Sequence, residues 1–315
     1  MLTSVYSLIK NSKFDKINLY IVTSEFTNKD YDKIKKFLDI FENVLVYFYK
    51  LEDYDINKLN IPSWRGTQIA NARLVFPDII SSDNDIESIL YIDSDTIIKD
   101  DLRGLLKYKD NIVSACLEDA TLKSYYISKL NLDKYFNSGV IYFNTKKWKE
   151  LDAEYRIKNT LSNTNIEITF PDQDLFNIIF NNETSIMPSR YNMSTYPYLF
   201  NNLESKAFYN PKYRQLGFDE IEIEKENAKI LHSYGLFNIK PWCNANINPF
   251  SKEFMKYMND VNPYFKKEEL NILKKLLITS PELLKIMLVL RTYLPSDIEE
   301  CNRKLSLKLQ KAIEK

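Results

Sequence analysis

The chain has 315 residues, 44% of them apolar, with 43 basic and 43 acidic side chains; a neutral chain of this apolar content is globular, which excludes a disordered or nucleic-acid-coating polycation, and its length suffices for one large α/β domain or two smaller ones. Its five glycines, at positions 66, 104, 139, 217 and 235, are too dispersed for a Gly-x-Gly-x-x-Gly or Walker loop, which gather backbone N–H groups against phosphate. The single histidine, His232, excludes His-Glu-x-x-His proteases and three-histidine zinc sites, and three scattered cysteines, Cys116, Cys243 and Cys301, make no zinc knuckle or disulfide framework and point to a reducing compartment.

Residues 3–10 read as the end of an amphipathic helix, and 17–23, rich in β-branched and aromatic residues, as a strand. Tyr31, Ile34, Phe37, Leu38 and Phe41 fall at helical spacing over 29–41. Residues 43–49 read as a second strand, and 67–75 as a helix ending near Pro77. Residues 88–92, Ser-Ile-Leu-Tyr-Ile, are an almost wholly apolar strand of the kind buried on both faces of a parallel sheet. Strands recur at 111–116 and 139–143, so the alternation predicts an α/β sheet flanked by helices. Weak periodicity over 184–227 predicts loops.

From about residue 251 the pattern is helical only, giving two expected units, 1–250 and an appendage, 251–315. The appendage carries 13 basic and 9 acidic residues. Ser280-Pro281-Glu282 and Ser296-Asp297-Ile298-Glu299 read as helix starts. Leu270, Leu273, Leu277 and Ile278, then Leu283, Leu284, Met287, Leu288 and Leu290, form apolar faces beside lysines. They are expected to pack on the first unit or to dock on an anionic membrane. The stretch 276–294 is interrupted by Ser280, Pro281, Glu282 and Lys285, and the start lacks a basic segment before an apolar run. Neither a spanning helix nor a secretory leader is expected.

Four segments carry chemistry. In Tyr91-Ile92-Asp93-Ser94-Asp95-Thr96, two carboxylates follow a buried strand at the sheet end where ligands bind, within reach of one hard divalent cation. The same pair could instead cap the next turn. In Phe136-Asn137-Ser138-Gly139-Val140, the glycine opens a strand and allows close backbone approach. Pro171-Asp172-Gln173-Asp174 has the proline and acidic residues of a helix start, which leaves Gln173 unexplained. His232-Ser-Tyr-Gly235, with Lys240-Pro241-Trp242, follows a short apolar strand. An Asp-x-Asp-x-Thr also opens haloacid-dehalogenase-like phosphatases, but there it lies near the N-terminus and a later strand ends in paired aspartates; neither holds here.

Taken in this order and spacing, with Asn144, Trp148 and the Ala70-Asn71-Ala72-Arg73-Leu74 segment, the motifs resemble glycosyltransferase family 8 over roughly residues 3–260. That family of retaining transferases includes bacterial lipopolysaccharide galactosyl- and glucosyltransferases and the glycogenins. The resemblance implies a GT-A nucleotide-diphospho-sugar transferase fold and a UDP-hexose donor used with Mn²⁺ or Mg²⁺. Asp93, Asp95 and His232 would hold the metal. Gln173 and Asp172 would act at the reacting carbon, and Arg73, Ser94, Asn137, Asp119 (or Glu118), Gly235 and Lys240 would bind the donor. The acceptor would be a glycan or a lipid-linked saccharide, and the place of work the cytoplasm or the inner face of the membrane. The family begins with a strand, and residues 2–8 resemble the helix after it, so the first strand is expected to be missing. The alternative is an inactive remnant that binds glycans or acts as a scaffold. Four residues separate Gly235 from Lys240 where the family usually has two.

Overall fold

The computed structural model describes residues 1–64, 66–83, 86–118, 127, 129–163, 168–209, 215–235, 239–244, 247–270, 275 and 280–291. The chain opens on helix α1 (Leu2–Asn11), strand β1 (Ile17–Thr23), helix α2 (Asn28–Leu38) and strand β2 (Val44–Lys50). β1 and β2 pair in parallel as a sheet of their own. A 3₁₀ turn (Ile69–Leu74) carries Arg73, and helix α3 (Phe76–Asp83) follows. Pro77 thus sits in the first turn of a helix instead of ending one. Its missing N–H costs nothing there, because first-turn amides have no intrahelical partner.

Four strands make the central sheet: β3 (Ser88–Ile92), β5 (Val113–Leu117), β6 (Phe136–Asn144) and β7 (Thr184–Met187). Their order is β3-β6-β5-β7; β6 runs antiparallel to both neighbours and β7 parallel to β5. Two short strands, β4 (Thr96–Ile98) and β8 (Ile230–His232), pair antiparallel at its end. Gly139 lies inside β6 and does not open it, because β6 extends back to Phe136. The stretch 184–227 contains β7 and the helices Tyr196–Leu199, Asn202–Phe208 and Phe218–Glu226. These are short, and their burial is set by neighbours distant in sequence, so periodicity is weak in them.

The main core packs aromatic rings between the central sheet and its helices. Trp148 is fully buried, edge-on to Phe143 at 5.0 Å and 4.7 Å from Phe180. Its indole N–H donates to Asp78 at 3.0 Å. Trp148→Ala is expected to lower unfolding stability by about 3–5 kcal/mol, read by urea denaturation.

Beyond residue 250, the helix Ser251–Val261 packs on α1. Tyr6 Oη donates to Asp260 Oδ2 at 3.1 Å, and Asn11 Nδ2 donates to Tyr257 Oη at 2.8 Å. In the helix Pro281–Arg291, Leu284 and Leu288 are buried in the same cluster as Phe208 and Phe254, and Leu270 packs with Ile239 and Cys243. These leucines face the rest of the chain. Residues 292–315, with the helix start at Ser296, lie outside the described residues, as do Leu273, Leu277 and Ile278 and the side chains of Leu283, Met287 and Leu290. Among the described residues no helix is long and apolar enough to cross a membrane.

Candidate active site

β3 delivers Asp93 and Asp95 to the end of the central sheet. The β4–β8 register then brings in the histidine: Thr96 pairs with His232, which places the imidazole beside a motif 137 residues earlier. Ligand atoms of Asp93, Asp95 and His232 lie within 4.8 Å of one another. His232 Nε2 is 3.2 Å from Asp95 Oδ1 and 3.6 Å from Asp93 Oδ2. The side chains do not cap the following turn. That turn, at Lys99-Asp100-Asp101-Leu102, is capped by its own aspartates: Asp100 Oδ1 accepts from the Asp101 N–H at 2.7 Å and Asp101 Oδ1 from the Arg103 N–H at 3.1 Å.

Gly139 makes this convergence possible. A Cβ at that position would run into the His232 ring and come 2.8 Å from Asp93 Oδ2. The close approach inferred from sequence is thus of side chains to the β6 backbone.

A chain of buried amides orients the imidazole. The Gly139 backbone N–H donates to Asn137 Oδ1 at 2.9 Å, which identifies that atom as oxygen. Asn192 Nδ2 donates to the same oxygen at 2.8 Å. Asn192 Oδ1 is therefore the atom facing His232 Nδ1 at 2.8 Å. Nδ1 donates to this oxygen, which leaves Nε2 as the ring atom that faces the two carboxylates. Asn192 had no sequence signal: a lone asparagine in an aperiodic stretch reads as a turn residue.

Arg73 balances the carboxylates from beneath. Nη2 pairs with Asp93 Oδ1 at 2.9 Å, and Nε lies 3.3 Å from Asp172 Oδ2. Nη1 donates to the Ser138 carbonyl at 2.6 Å and hydroxyl at 2.9 Å. The guanidinium also lies 4.7 Å from the centre of the Tyr91 ring, whose hydroxyl donates to Asp93 Oδ1 at 2.6 Å. Burial pulls the Arg73 pKa down, but Asp93, Tyr91 and Asp172 outweigh it and hold the group charged. Lys240 pairs with Asp95 and donates to the Ser233 carbonyl at 2.7 Å. For Asp95, burial raises the pKa, while His232 and Lys240 together bring it well below the carboxylate range.

The helix Pro171–Phe180 supplies the other wall. Ser138 Oγ donates to Asp172 Oδ2 at 2.9 Å. Gln173 Oε1 accepts from the Ser138 N–H at 3.1 Å, and its Nε2 donates to Glu118 Oε2 at 3.2 Å. Asn137 Nδ2 donates to the same Glu118 oxygen at 2.8 Å. Asp174 does helix-start work: it accepts from the N–H groups of Thr169 and Phe170 and from the Tyr135 hydroxyl. Gly235 takes a positive φ of 79°, where a Cβ would meet the Tyr196 ring.

One cleft of about 1260 Å³ gathers Arg73, Asp93, Ser94, Asp95, Asn137, Asp172, Gln173, His232, Gly235 and Lys240 along its lining. Ser94 is exposed at its rim. Glu118 also lines the cleft; Asp119 lies outside the described residues.

Residues 1–246 match the family Glycosyl transferase family 8. The chain belongs to that family and is a glycosyltransferase. A lipopolysaccharide 1,2-glucosyltransferase of Escherichia coli is 25% identical over 274 residues, covering 81% of this chain and 78% of its own. General stress protein A of Bacillus subtilis is 27% identical over 201 residues, covering 61% and 65%. Among solved structures, the galactosyltransferase LgtC, in complex with donor and acceptor sugar analogues, superposes with a TM-score of 0.63 at 18% identity, covering 82% of this chain and 91% of LgtC. The fold is therefore GT-A, as the motifs implied.

Proposed function

We propose that the chain is a metal-dependent retaining hexosyltransferase that moves glucose or galactose from a UDP-sugar onto a glycan or lipid-linked saccharide at the cytoplasmic face of a membrane. One observation carries the reading: two carboxylates and an imidazole converge, with Nε2 turned toward them by the Asn137–Asn192 amide chain. Hard oxygens with one imidazole suit Mn²⁺ or Mg²⁺, and Asp93, Asp95 and His232 would hold the ion. Bound there, it would neutralise charge that builds on the departing diphosphate. The scattered glycines leave no phosphate-cradling loop to do so.

The protein groups divide the remaining work. Arg73 fixes Asp93 and Asp172 in one hydrogen-bonded frame with Ser138. Gly235 and Lys240 border the cleft where a diphosphate lies. Gln173, held by the Ser138 N–H and Glu118, faces the donor sugar with a neutral amide, a poor nucleophile that stabilises positive charge through its dipole. The acceptor hydroxyl approaches on the side the phosphate vacates and passes its proton to the leaving phosphate oxygen. The complete set of acidic, amide and imidazole groups argues against an inactive remnant.

The test is UDP release from UDP-glucose and UDP-galactose, with Mn²⁺ and with a chelator. Turnover of one donor that stops with the chelator supports the reading, and no release from any UDP-hexose with either metal contradicts it. Asn192→Leu is expected to leave the fold intact and to weaken Mn²⁺ binding about 10–100-fold, because the ring loses its orienting partner; calorimetric titration checks it.

A further inference from the structure

The turn that carries Asp93 and Asp95 is pinned on three sides. The Asp93 N–H donates to the Gly139 carbonyl of β6 at 2.8 Å, and the Ser233 N–H, next to His232, donates to the Asp95 carbonyl at 3.0 Å. The third tie comes from side chains. Thr96 Oγ1 donates to the Asp93 carbonyl at 2.8 Å, and Ser4 Oγ of α1 lies 2.7 Å from the same hydroxyl. A carbonyl only accepts, and a hydroxyl has one proton to give. The Thr96 proton is therefore spent on Asp93, and Ser4 is the donor to Thr96. The result is a directed relay from the Ser4 hydroxyl through the Thr96 hydroxyl to the Asp93 carbonyl, in which each donor strengthens the next. Ser4 is 6% exposed and Thr96 1%, so solvent has little access to replace either bond. Other contacts seat α1 without passing through the turn. In an antiparallel pair every second residue turns both backbone groups away from its partner strand. At Ile98 of β4 those groups meet α1: its N–H donates to Ser7 Oγ at 2.9 Å, and its carbonyl accepts from Asn11 Nδ2 at 2.9 Å. Ser4, Ser7 and Asn11 stand at i, i+3 and i+7, one stripe of the helix. Of the three, Ser4 is the one hydrogen-bonded toward the Asp93 turn.

We propose that Thr96 and Ser4 are positioning residues of the metal site: their hydroxyl relay fixes the Asp93 carbonyl, and with it the turn from which the Asp93 and Asp95 carboxylates reach toward His232. The proposal rests on the reading that these three groups hold a divalent ion. A metal site gains affinity when its ligands are held in place before the ion arrives, and the partners that hold them matter almost as much as the ligands. Thr96 acts at the backbone of one ligand and, through its pairing with His232 across β4 and β8, stands beside another. Valine at position 96 has nearly the same shape but leaves the buried Asp93 carbonyl without this donor. The turn then loosens at Asp93 while β4 stays paired with β8. Serine at the same position restores the donor.

The test uses the full chain and measures Mn²⁺ affinity by calorimetric titration, amide exchange at Asp93 and Ser233 without metal, and Tm. Thr96→Val is expected to weaken Mn²⁺ binding about 10–100-fold and to speed exchange of both amides about tenfold, whereas Thr96→Ser should bind like the parent. Ser4→Ala should weaken binding in the same direction but less, since Thr96 keeps its own bond to Asp93. Ser7→Ala should lower Tm by a few degrees with Mn²⁺ affinity unchanged, because it loosens α1 without removing a group of the relay. A Thr96→Val chain that melts lower yet binds Mn²⁺ like the parent would overturn the proposal, since the hydroxyl would then serve stability alone. Equal weakening in Ser7→Ala, or no rescue by Thr96→Ser, would overturn it as well. If Thr96→Val does not fold, Ser4→Ala decides: parent-like affinity and exchange in that variant sink the relay. A parent that binds no Mn²⁺ fails the metal reading itself, while unchanged amide exchange in Thr96→Val fails the relay alone, so the two failures are told apart.

Discussion

Asp95→Ala is expected to lower Mn²⁺-dependent UDP release about 10³-fold or more while the protein stays folded. Several kcal/mol of charge stabilisation at the leaving diphosphate depend on the ion, and each 1.4 kcal/mol is a factor of ten. The substitution removes one of three converging ligands and strips Lys240 and His232 of their shared partner. Circular dichroism should be unchanged, because Asp95 lies outside the apolar clusters. Asp95→Asn keeps the shape and removes the charge, and should lose nearly as much. Release at the parent rate in either variant would place the metal elsewhere.

Gln173→Ala is expected to lower kcat about 10²-fold or more, with UDP binding nearly unchanged. Gln173 touches no metal-cluster side chain through a hydrogen bond given above; it is tied to Ser138 and Glu118 on the side of the donor sugar. Its loss therefore removes stabilisation of the sugar in the transition state and spares the diphosphate end. Gln173→Glu adds a charge beside Glu118 and separates dipole from charge effects, since the two carboxylates would repel. A large fall in UDP affinity with kcat intact would make Gln173 a binding residue instead.

The parts legible in the sequence were those whose signal is local. The strand at 88–92 is short and apolar on both faces, and its bounds hold to the residue. Asp93 and Asp95 at its end were readable as a pair within reach of one cation, but capping of the next turn explained them equally well until the other motifs were read with them. His232 joined them only through the resemblance, because the β4–β8 register that brings it in is a tertiary fact. Asn192 was not legible at all. Its role comes from a hydrogen-bond chain across three segments, and each member alone looks like a turn residue. Gly139 was read as a strand opener because a glycine in a strand usually marks an end or a bulge. Its actual cause, the His232 ring against its backbone, lies 93 residues away. Likewise Pro77 was read as a stop, although the same residue type also starts helices.

The most direct measurement of the central claim is Mn²⁺ titration in the presence of UDP, followed by the electron paramagnetic resonance of the free ion. The parent chain should bind one ion per molecule, and His232→Ala should lose that binding while its circular dichroism stays unchanged. Equal Mn²⁺ binding by the parent and His232→Ala would contradict a metal centre built from Asp93, Asp95 and His232.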